Sequence, residues 1–272
     1  MSVNLPFSSC GQRGMAQTVT KTVVVFIHGA FCGGWCFQDF VPEFEARGFA
    51  CHAPDLRFHV SGPARAPDPQ LAQTSIADYT RDMEELIAGL SEPPVIVGHS
   101  MGGLIGQQLA AKGLARSLVL LASGAPWGIL PSSDAELALT MGLMRASPFW
   151  DRALNPSFEV ARLDSLASLD PAAQRRVFDR FSAESGRALF ELFFWMFDKQ
   201  RTTAVETTKV ACPVLVISGS DDKVVSAATG RKIAALYPSA TFHEAAGRGH
   251  LLIMEEGSSQ LAARCADWIE KA

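Results

Sequence analysis

Apolar positions along this chain fall into two alternating patterns. Short continuous apolar runs occupy 22–27 (TVVVFI), 94–97, 117–122 and 213–217, and two further strands are expected at 49–53 and near 240–245. Apolar runs that lack polar alternation predict strands buried on both faces of a parallel sheet. Between them lie stretches with helical spacing, at 35–47, 75–90, 103–112, about 225–237 and about 257–271. Gly48 is placed to close the first as a C-cap, and Ser75 to cap the second, whose buried face is Ile76, Tyr79, Met83, Leu86, Ile87 and Leu90. Strand–helix alternation implies right-handed crossovers.

From 126 to 208 the alternation stops. That stretch predicts helices at 132–146, 171–184 and 186–199, separated by Pro148, Pro156 and Pro171. The expected fold class is therefore α/β: a mostly parallel central sheet with helices on both faces and a helical cap insertion. The expected division is a tail at 1–20, a core at 21–125, a cap at 126–208 and the rest of the core at 209–272. The cap is expected over the carboxyl edge of the sheet, where open α/β folds bind ligands.

Composition narrows the class. A chain of 272 residues suits one large α/β domain. A net charge of −4 gives no electrostatic case for nucleic acid or an anionic membrane, and no apolar run reaches membrane-spanning length. Residues 1–21 have no basic region followed by an apolar core, so no signal peptide is expected there, and 1–14 reads as a dispensable tail or an over-long start before Met15. Cys10, Cys32, Cys36, Cys51, Cys212 and Cys265 form no C-x-x-C pair, which suits a reduced cytoplasmic protein with buried thiols.

The chemistry centres on Gly98-His99-Ser100-Met101-Gly102, set between an apolar strand and a helix. A serine on such a corner is a nucleophile elbow, with Oγ lifted clear of the sheet. A serine hydroxyl needs a base, and the base needs a carboxylate. Both follow later strands, in Gly219-Ser220-Asp221-Asp222-Lys223-Val224-Val225 and Gly247-Arg248-Gly249-His250-Leu251. His28, His99 and His243 are expected to hold local structure. Cys32 and Cys36 lack the partners of a metal site.

Taken in order, the His28-Gly29 loop, the elbow, the Gly-x-x-Asp-x-x-Val loop and the Gly-x-Gly-His loop resemble the α/β-hydrolase superfamily from about residue 21 onward. The resemblance implies Ser100 as nucleophile, His250 as base and Asp222, three past the glycine, as acid rather than Asp221. It also implies an oxyanion hole from the N–H groups of Ala30 and Met101. The segment His28-Gly29-Ala30-Phe31-Cys32-Gly33-Gly34-Trp35-Cys36-Phe37 is similar to the plant methylesterase and hydroxynitrile lyase branch. The lyases carry threonine where this chain has Gly29 and lysine where it has Leu251, so the lyase reaction is not expected. Serine at 100 excludes the branches that use aspartate or cysteine. Two departures stand out. Arg57-Phe58-His59-Val60-Ser61-Gly62 replaces the familiar Gly-x-Gly-x-Ser run, and Val225-Ser226 stands where proline is frequent.

The implied activity is hydrolysis of a small-molecule carboxylic ester through an acyl-enzyme, with no cofactor or metal required. A C–C bond hydrolase with the same triad and a non-catalytic receptor on the same fold are the alternatives. Substrate clues lie in the cap, where 190–197 is apolar around most of a helix and Leu137, Leu139, Met141, Leu143 and Met144 precede it. Such a stripe either packs the cap interior or walls an apolar pocket above Ser100. The pocket is assigned to Phe31, His99, Trp127, Phe194, Trp195 and Leu251.

Overall fold

The six expected strands form one sheet in the computed structural model, which describes residues 21–59 and 66–272. The expected tail at 1–20, Cys10 and residues 60–62 lie outside the described residues. In chain order the elements begin with β1 (Val23–Ile27), a 3-10 turn (Gly34–Phe37), α1 (Phe40–Ala46), β2 (Ala50–His52), a second 3-10 turn (Pro69–Gln73) and α2 (Ile76–Ala88). β3 (Val95–His99), α3 (Met101–Ala111) and β4 (Ser117–Leu121) follow. Next come α4 (Asp134–Arg145), β5 (Ala153–Leu154), α5 (Phe158–Ala161), α6 (Pro171–Phe178), β6 (Glu184–Ser185) and α7 (Gly186–Phe193). Two 3-10 turns (Trp195–Phe197 and Thr207–Lys209) lead to β7 (Val214–Gly219), α8 (Ala227–Ala234), β8 (Ala240–Ala245) and α9 (Ser258–Ile269).

The sheet runs β2-β1-β3-β4-β7-β8, with every pairing parallel. Its strands alternate between two cores because successive side chains point to opposite faces. Val24, Phe26, Val97 and Leu121 pack with Phe40 and Phe44 of α1 and Leu261 and Cys265 of α9. Val25, Ile27, Ile96 and Leu120 pack with Tyr79 of α2, Leu104 and Ile105 of α3 and Ile233 of α8. Helices on both faces of a parallel sheet are the α/β arrangement the hydrophobic runs predict. Among the described residues no helix is long and apolar enough to cross a membrane.

Boundaries differ where side-chain chemistry cuts across the pattern. The helix expected at 35–47 is a 3-10 turn followed by α1, because Pro42 has no N–H and its ring excludes a helical carbonyl four residues back. The helix expected at 171–184 ends at Phe178, where the chain turns to pair β6 antiparallel with β5. The Ser182 N–H then donates to Phe31 O (2.9 Å), a tertiary bond that a helix would forbid. The helix expected at 186–199 ends at Phe193 and continues as a 3-10 turn. All six strands of the sheet flank residues 126–208, which supply α4 to α7 and the β5–β6 pair.

Two glycines give contrasting tests of this packing. Gly48 has φ +89° and ends α1, with its N–H on Glu45 O (2.9 Å) and the Phe49 N–H on Phe44 O (3.2 Å). A Cβ at Gly48 would touch nothing within 4 Å, so Gly48→Ala should cost only about 1 kcal/mol of backbone strain. A Cβ at Gly102 would lie 2.0 Å from Ile27 O, between α3 and β1. Gly102→Ala should cost more than about 3 kcal/mol or prevent folding, since backbone must move. Urea unfolding of the two variants checks the ranking. Equal losses would show that α3 does not sit hard against β1.

Candidate active site

β3 ends at His99 and α3 starts at Met101, leaving Ser100 alone at the corner with φ 51° and ψ −119°. Positive φ is a strained conformation for a residue with a side chain, and here the surroundings enforce it. The Ser100 N–H donates to Leu121 O (3.0 Å), and its carbonyl accepts from Gly103 (2.9 Å) and Gly124 (2.7 Å). The backbone is pinned from both sides, and the hydroxyl is left free to turn.

That hydroxyl lies 3.0 Å from His250 Nε2, and His250 Nδ1 lies 2.9 Å from Asp222 Oδ2. Asp222 Oδ1 accepts from the N–H groups of Val224 (2.8 Å) and Val225 (2.9 Å), which fix the carboxylate in its own loop. An ionised carboxylate only accepts, so His250 Nδ1 carries a proton and Nε2 presents a lone pair to the serine O–H. Ser100, Asp222 and His250 are all buried. Asp221 is exposed and accepts instead from Ser220 Oγ (2.7 Å). The structure thus brings Ser100, His250 and Asp222 together and leaves Asp221 outside.

The register of β1 against β3 sets Ile27 beside Gly98, so residues 28–30 leave the sheet alongside 99–101. A Cβ on Gly29 would come within 2.9 Å of Ser100 Cβ, which shows how tightly this loop passes the serine. The N–H groups of Ala30 and Met101 have no hydrogen-bond partner among the described residues. Met101 also opens α3, where the first-turn N–H groups and the helix dipole favour negative charge.

The neighbouring histidines are structural by their partners. His28 Nδ1 donates to Gly29 O (2.8 Å), and its Nε2 accepts the Leu56 N–H (2.9 Å). Burial, then the nearby His59, pushes the His28 pKa down to about 3. His99 Nε2 donates to His250 O (2.8 Å), holding the backbone of His250, and burial followed by His250 pushes its pKa down to about 3. His243 pairs with Arg264 of α9.

A cavity of about 60 Å³ opens at Ser100, walled by Ile129, Leu192, Phe193, Trp195, Val224 and Val225 with Glu136 and Thr140. Of the six pocket residues expected from sequence, Trp195 lies on this wall. Phe194 packs instead against Phe149 (5.7 Å between ring centres) and Phe190 (5.9 Å). Trp127 meets Trp195 edge-on at 5.1 Å, with the Arg201 guanidinium 4.2 Å above its ring. Phe31 packs against that phenylalanine cluster, His99 holds His250, and Leu251 belongs to the core beside α1 and α9.

The pocket assigned from sequence left out Val225, named there only as the valine of the Asp222 loop, and Ile129, which carries no sequence signal. Sequence reasoning also missed four buried glutamates, of which Glu136, Glu184 and Glu255 reach loops of the site. Glu136 accepts from the Ser226 N–H (2.9 Å), Glu184 from the Phe31 N–H (3.3 Å) and Glu255 from the Gly249 N–H (2.9 Å). Each holds one loop of the site.

A model described as the alpha/beta hydrolase family matches residues 24–264. A pyrethroid hydrolase of Sphingobium wenxiniae is 36% identical over 85 residues, which is 31% of this chain and 29% of that relative, so the match spans under a third of its length. A Mycobacterium tuberculosis relative provisionally named non-heme bromoperoxidase BpoC is 29% identical over 259 residues, covering 87% of this chain and 89% of its own. The crystal structure of an Arabidopsis methylesterase superposes with a TM-score of 0.69 at 16% identity, covering 92% of this chain and all of that one. That likeness shows the shared fold.

The buried His99 gives a stability test with a definite sign. Its folded-state pKa lies near 3, below the ordinary 6.5, so only the unfolded chain takes up its proton as pH falls. The stability from keeping His99 neutral is complete above pH 6.5 and drains away between 6.5 and 3. Between pH 7 and pH 5 the loss should be about 2 kcal/mol. His99→Gln keeps a donor for His250 O and does not titrate. Denaturant unfolding at the two pH values should therefore show about 2 kcal/mol less pH dependence in the variant, and parallel curves would contradict it.

Proposed function

The chain belongs to the alpha/beta hydrolase family, and from that premise we propose that it is a serine hydrolase of small-molecule carboxylic esters. One observation carries the reading: Ser100, His250 and Asp222 form a hydrogen-bonded chain beside two unpartnered N–H groups. His250 Nε2 takes the serine proton as Oγ attacks the ester carbonyl. Asp222 holds the imidazole in the required tautomer and stabilises it once protonated. The oxyanion forms toward the N–H groups of Ala30 and Met101, each worth roughly 3–4 kcal/mol at such sites. The alcohol leaves with the proton from His250, and water then cleaves the acyl-enzyme by the same steps.

The walls of the cavity support an apolar acyl group, and its volume of about 60 Å³ supports a short one. The names of the pyrethroid hydrolase and methylesterase relatives favour ester chemistry. Free thiols at Cys32, Cys36, Cys51, Cys212 and Cys265 support a reducing, cytoplasmic setting.

The deciding experiment is turnover of a p-nitrophenyl ester series. Ser100→Ala should abolish turnover and leave the melting curve in place, because the hydroxyl faces a cavity. Residual activity within tenfold of the parent, or phosphonate labelling at another residue, would sink the assignment. Asp222→Asn should lose several orders of magnitude in kcat and Asp221→Asn far less.

The cavity wall predicts a second split. Trp195→Ala should shift preference toward longer acyl chains by about 1–3 kcal/mol, because it enlarges the cavity at Ser100. Phe194→Ala should lower stability by roughly 3–5 kcal/mol and reduce all esters alike, because that ring is packed in the phenylalanine cluster. Measured kcat/KM across the series beside a melting curve separates them. A selectivity change confined to Phe194→Ala would reverse the assignment of the wall.

A further inference from the structure

We propose that Glu184 is a positioning residue for the oxyanion hole, clamping the turn that presents the Ala30 N–H; the inference rests on the ester-hydrolase reading above. Glu184 lies on β6, far from Ser100 in sequence, and is fully buried. Its Oε2 accepts the Phe31 N–H (3.3 Å) and lies 2.9 Å from His59 Nε2. Its Oε1 accepts the Tyr79 hydroxyl (2.7 Å) and the Ser185 N–H (2.7 Å).

Phe31 is the residue that needs holding. It has φ +64°, a left-handed conformation that a free chain with a bulky side chain avoids. Both of its backbone polar groups are bound by one short stretch of chain: the N–H by Glu184 and the carbonyl by the Ser182 N–H (2.9 Å). The peptide between Ala30 and Phe31 therefore cannot rotate without breaking the bond to the carboxylate. The Ala30 N–H itself lies in the preceding peptide, so with the peptide after it held, Ala30 is anchored on its C-terminal side and can carry that N–H away from the oxyanion only by distorting the turn. The Cys32 N–H on Gly29 O (3.3 Å) closes the turn from the other side.

A bare carboxylate behind an oxyanion site would oppose the charge that forms there. His59 removes the difficulty. Its Nε2 faces the Glu184 carboxylate and its Nδ1 faces Arg57 O (3.1 Å), two groups that can only accept. Both ring nitrogens must then donate, which makes the ring an imidazolium. Burial works against that charge, but Glu184 outweighs it and raises the His59 pKa; burial likewise works against the Glu184 charge, which His59 pulls below the usual carboxylate range. The buried pair is close to neutral as a unit and still offers Phe31 the strong acceptor of an ionised carboxylate. Glutamine at 184 would keep the shape, weaken the acceptor and strand the imidazolium.

The test uses the full chain and p-nitrophenyl acetate, with active sites counted by exhaustive phosphonate titration of Ser100. Affinity for a trifluoromethyl ketone, which binds as a tetrahedral oxyanion, is measured in parallel. Glu184→Gln should lower kcat per titrated site by about 10- to 100-fold, leave KM within about threefold, and weaken the ketone by the same factor as kcat. A purely structural role would reduce the number of titratable sites and the melting temperature but not kcat per site. An unchanged kcat per site, or a fall in kcat with ketone affinity intact, overturns the proposal. Should Glu184→Gln not fold, Tyr79→Phe decides, since it removes one bond from the carboxylate and none from the turn. It should lower kcat and ketone affinity together by about three- to tenfold, and unchanged values overturn the clamp. Wild-type protein that hydrolyses no ester removes the hydrolase reading and the clamp with it. Wild-type turnover matched by Glu184→Gln removes the clamp alone.

Discussion

The site depends on the parallel pairing of β1 with β3. Ile27 lies beside Gly98, so the loop that ends in Ala30 and the corner that holds Ser100 leave the sheet at one level. α3 then folds back so closely that Gly102 lies against the Ile27 carbonyl. A slip of one residue would carry Ala30 about 3.3 Å along the strand, whereas a hydrogen bond tolerates a few tenths of an ångström. β7 and β8 repeat the arrangement, with Gly219 beside Ala245. Asp222 follows the first by three residues and His250 the second by five. Two strand pairings therefore assemble four chain segments that are distant in sequence.

Within that frame, hydrogen-bond partners decide the charge of each buried histidine. His28 faces a carbonyl and an N–H, so it is neutral; His99 faces one carbonyl and is neutral. His59, 5.0 Å from His28 between ring centres, faces a carbonyl and a carboxylate and is charged. His250, 5.0 Å from His99, faces a carboxylate and a hydroxyl, the one partner set among the four that permits a proton to arrive and leave. Burial alone would have left them all neutral. The chemistry is selected by which acceptor each loop delivers.

The sheet and the loops that bring Ser100, Asp222 and His250 together were legible in the sequence because both are written in local terms. Strands buried on both faces need unbroken apolar runs, and the corners that follow them need glycine and a reactive side chain at fixed spacing. Residues 126–208 were legible only as helical. The two-residue strands β5 and β6 are too short for any periodicity to mark them. Trp195 and Phe194 part company for a related reason. A continuous helix over 186–199 would place Phe190, Phe193, Phe194 and Phe197 on one face. The switch to a 3-10 turn after Phe193 changes the rotation per residue and brings Trp195 to the cavity wall while Phe194 stays in the cluster. The buried glutamates were illegible because their partners are tertiary. Glu136 and Glu191 sit in helices and Glu255 in a turn, positions where a lone sequence assigns a carboxylate to solvent.

Those glutamates explain why residues 126–208 are joined to the sheet loops by more than apolar contact. Apolar surfaces can slide with little loss, since their attraction is non-directional. A carboxylate accepting backbone N–H groups fixes position and direction together. Glu136 of α4 takes the Ser226 N–H beside the Asp222 loop, and Glu191 of α7 takes the Ile76 N–H (2.8 Å) and the Ser75 hydroxyl at the start of α2. Glu255 takes the Gly249 N–H before His250 and the Ser168 hydroxyl (2.5 Å) from the inserted stretch. Burying a carboxyl group costs several kcal/mol unless such donors surround it, so each tie forms only when its loop is in place. The inserted stretch and the loops of the site consequently order one another, which fixes the residues of 126–208 that wall the cavity at Ser100.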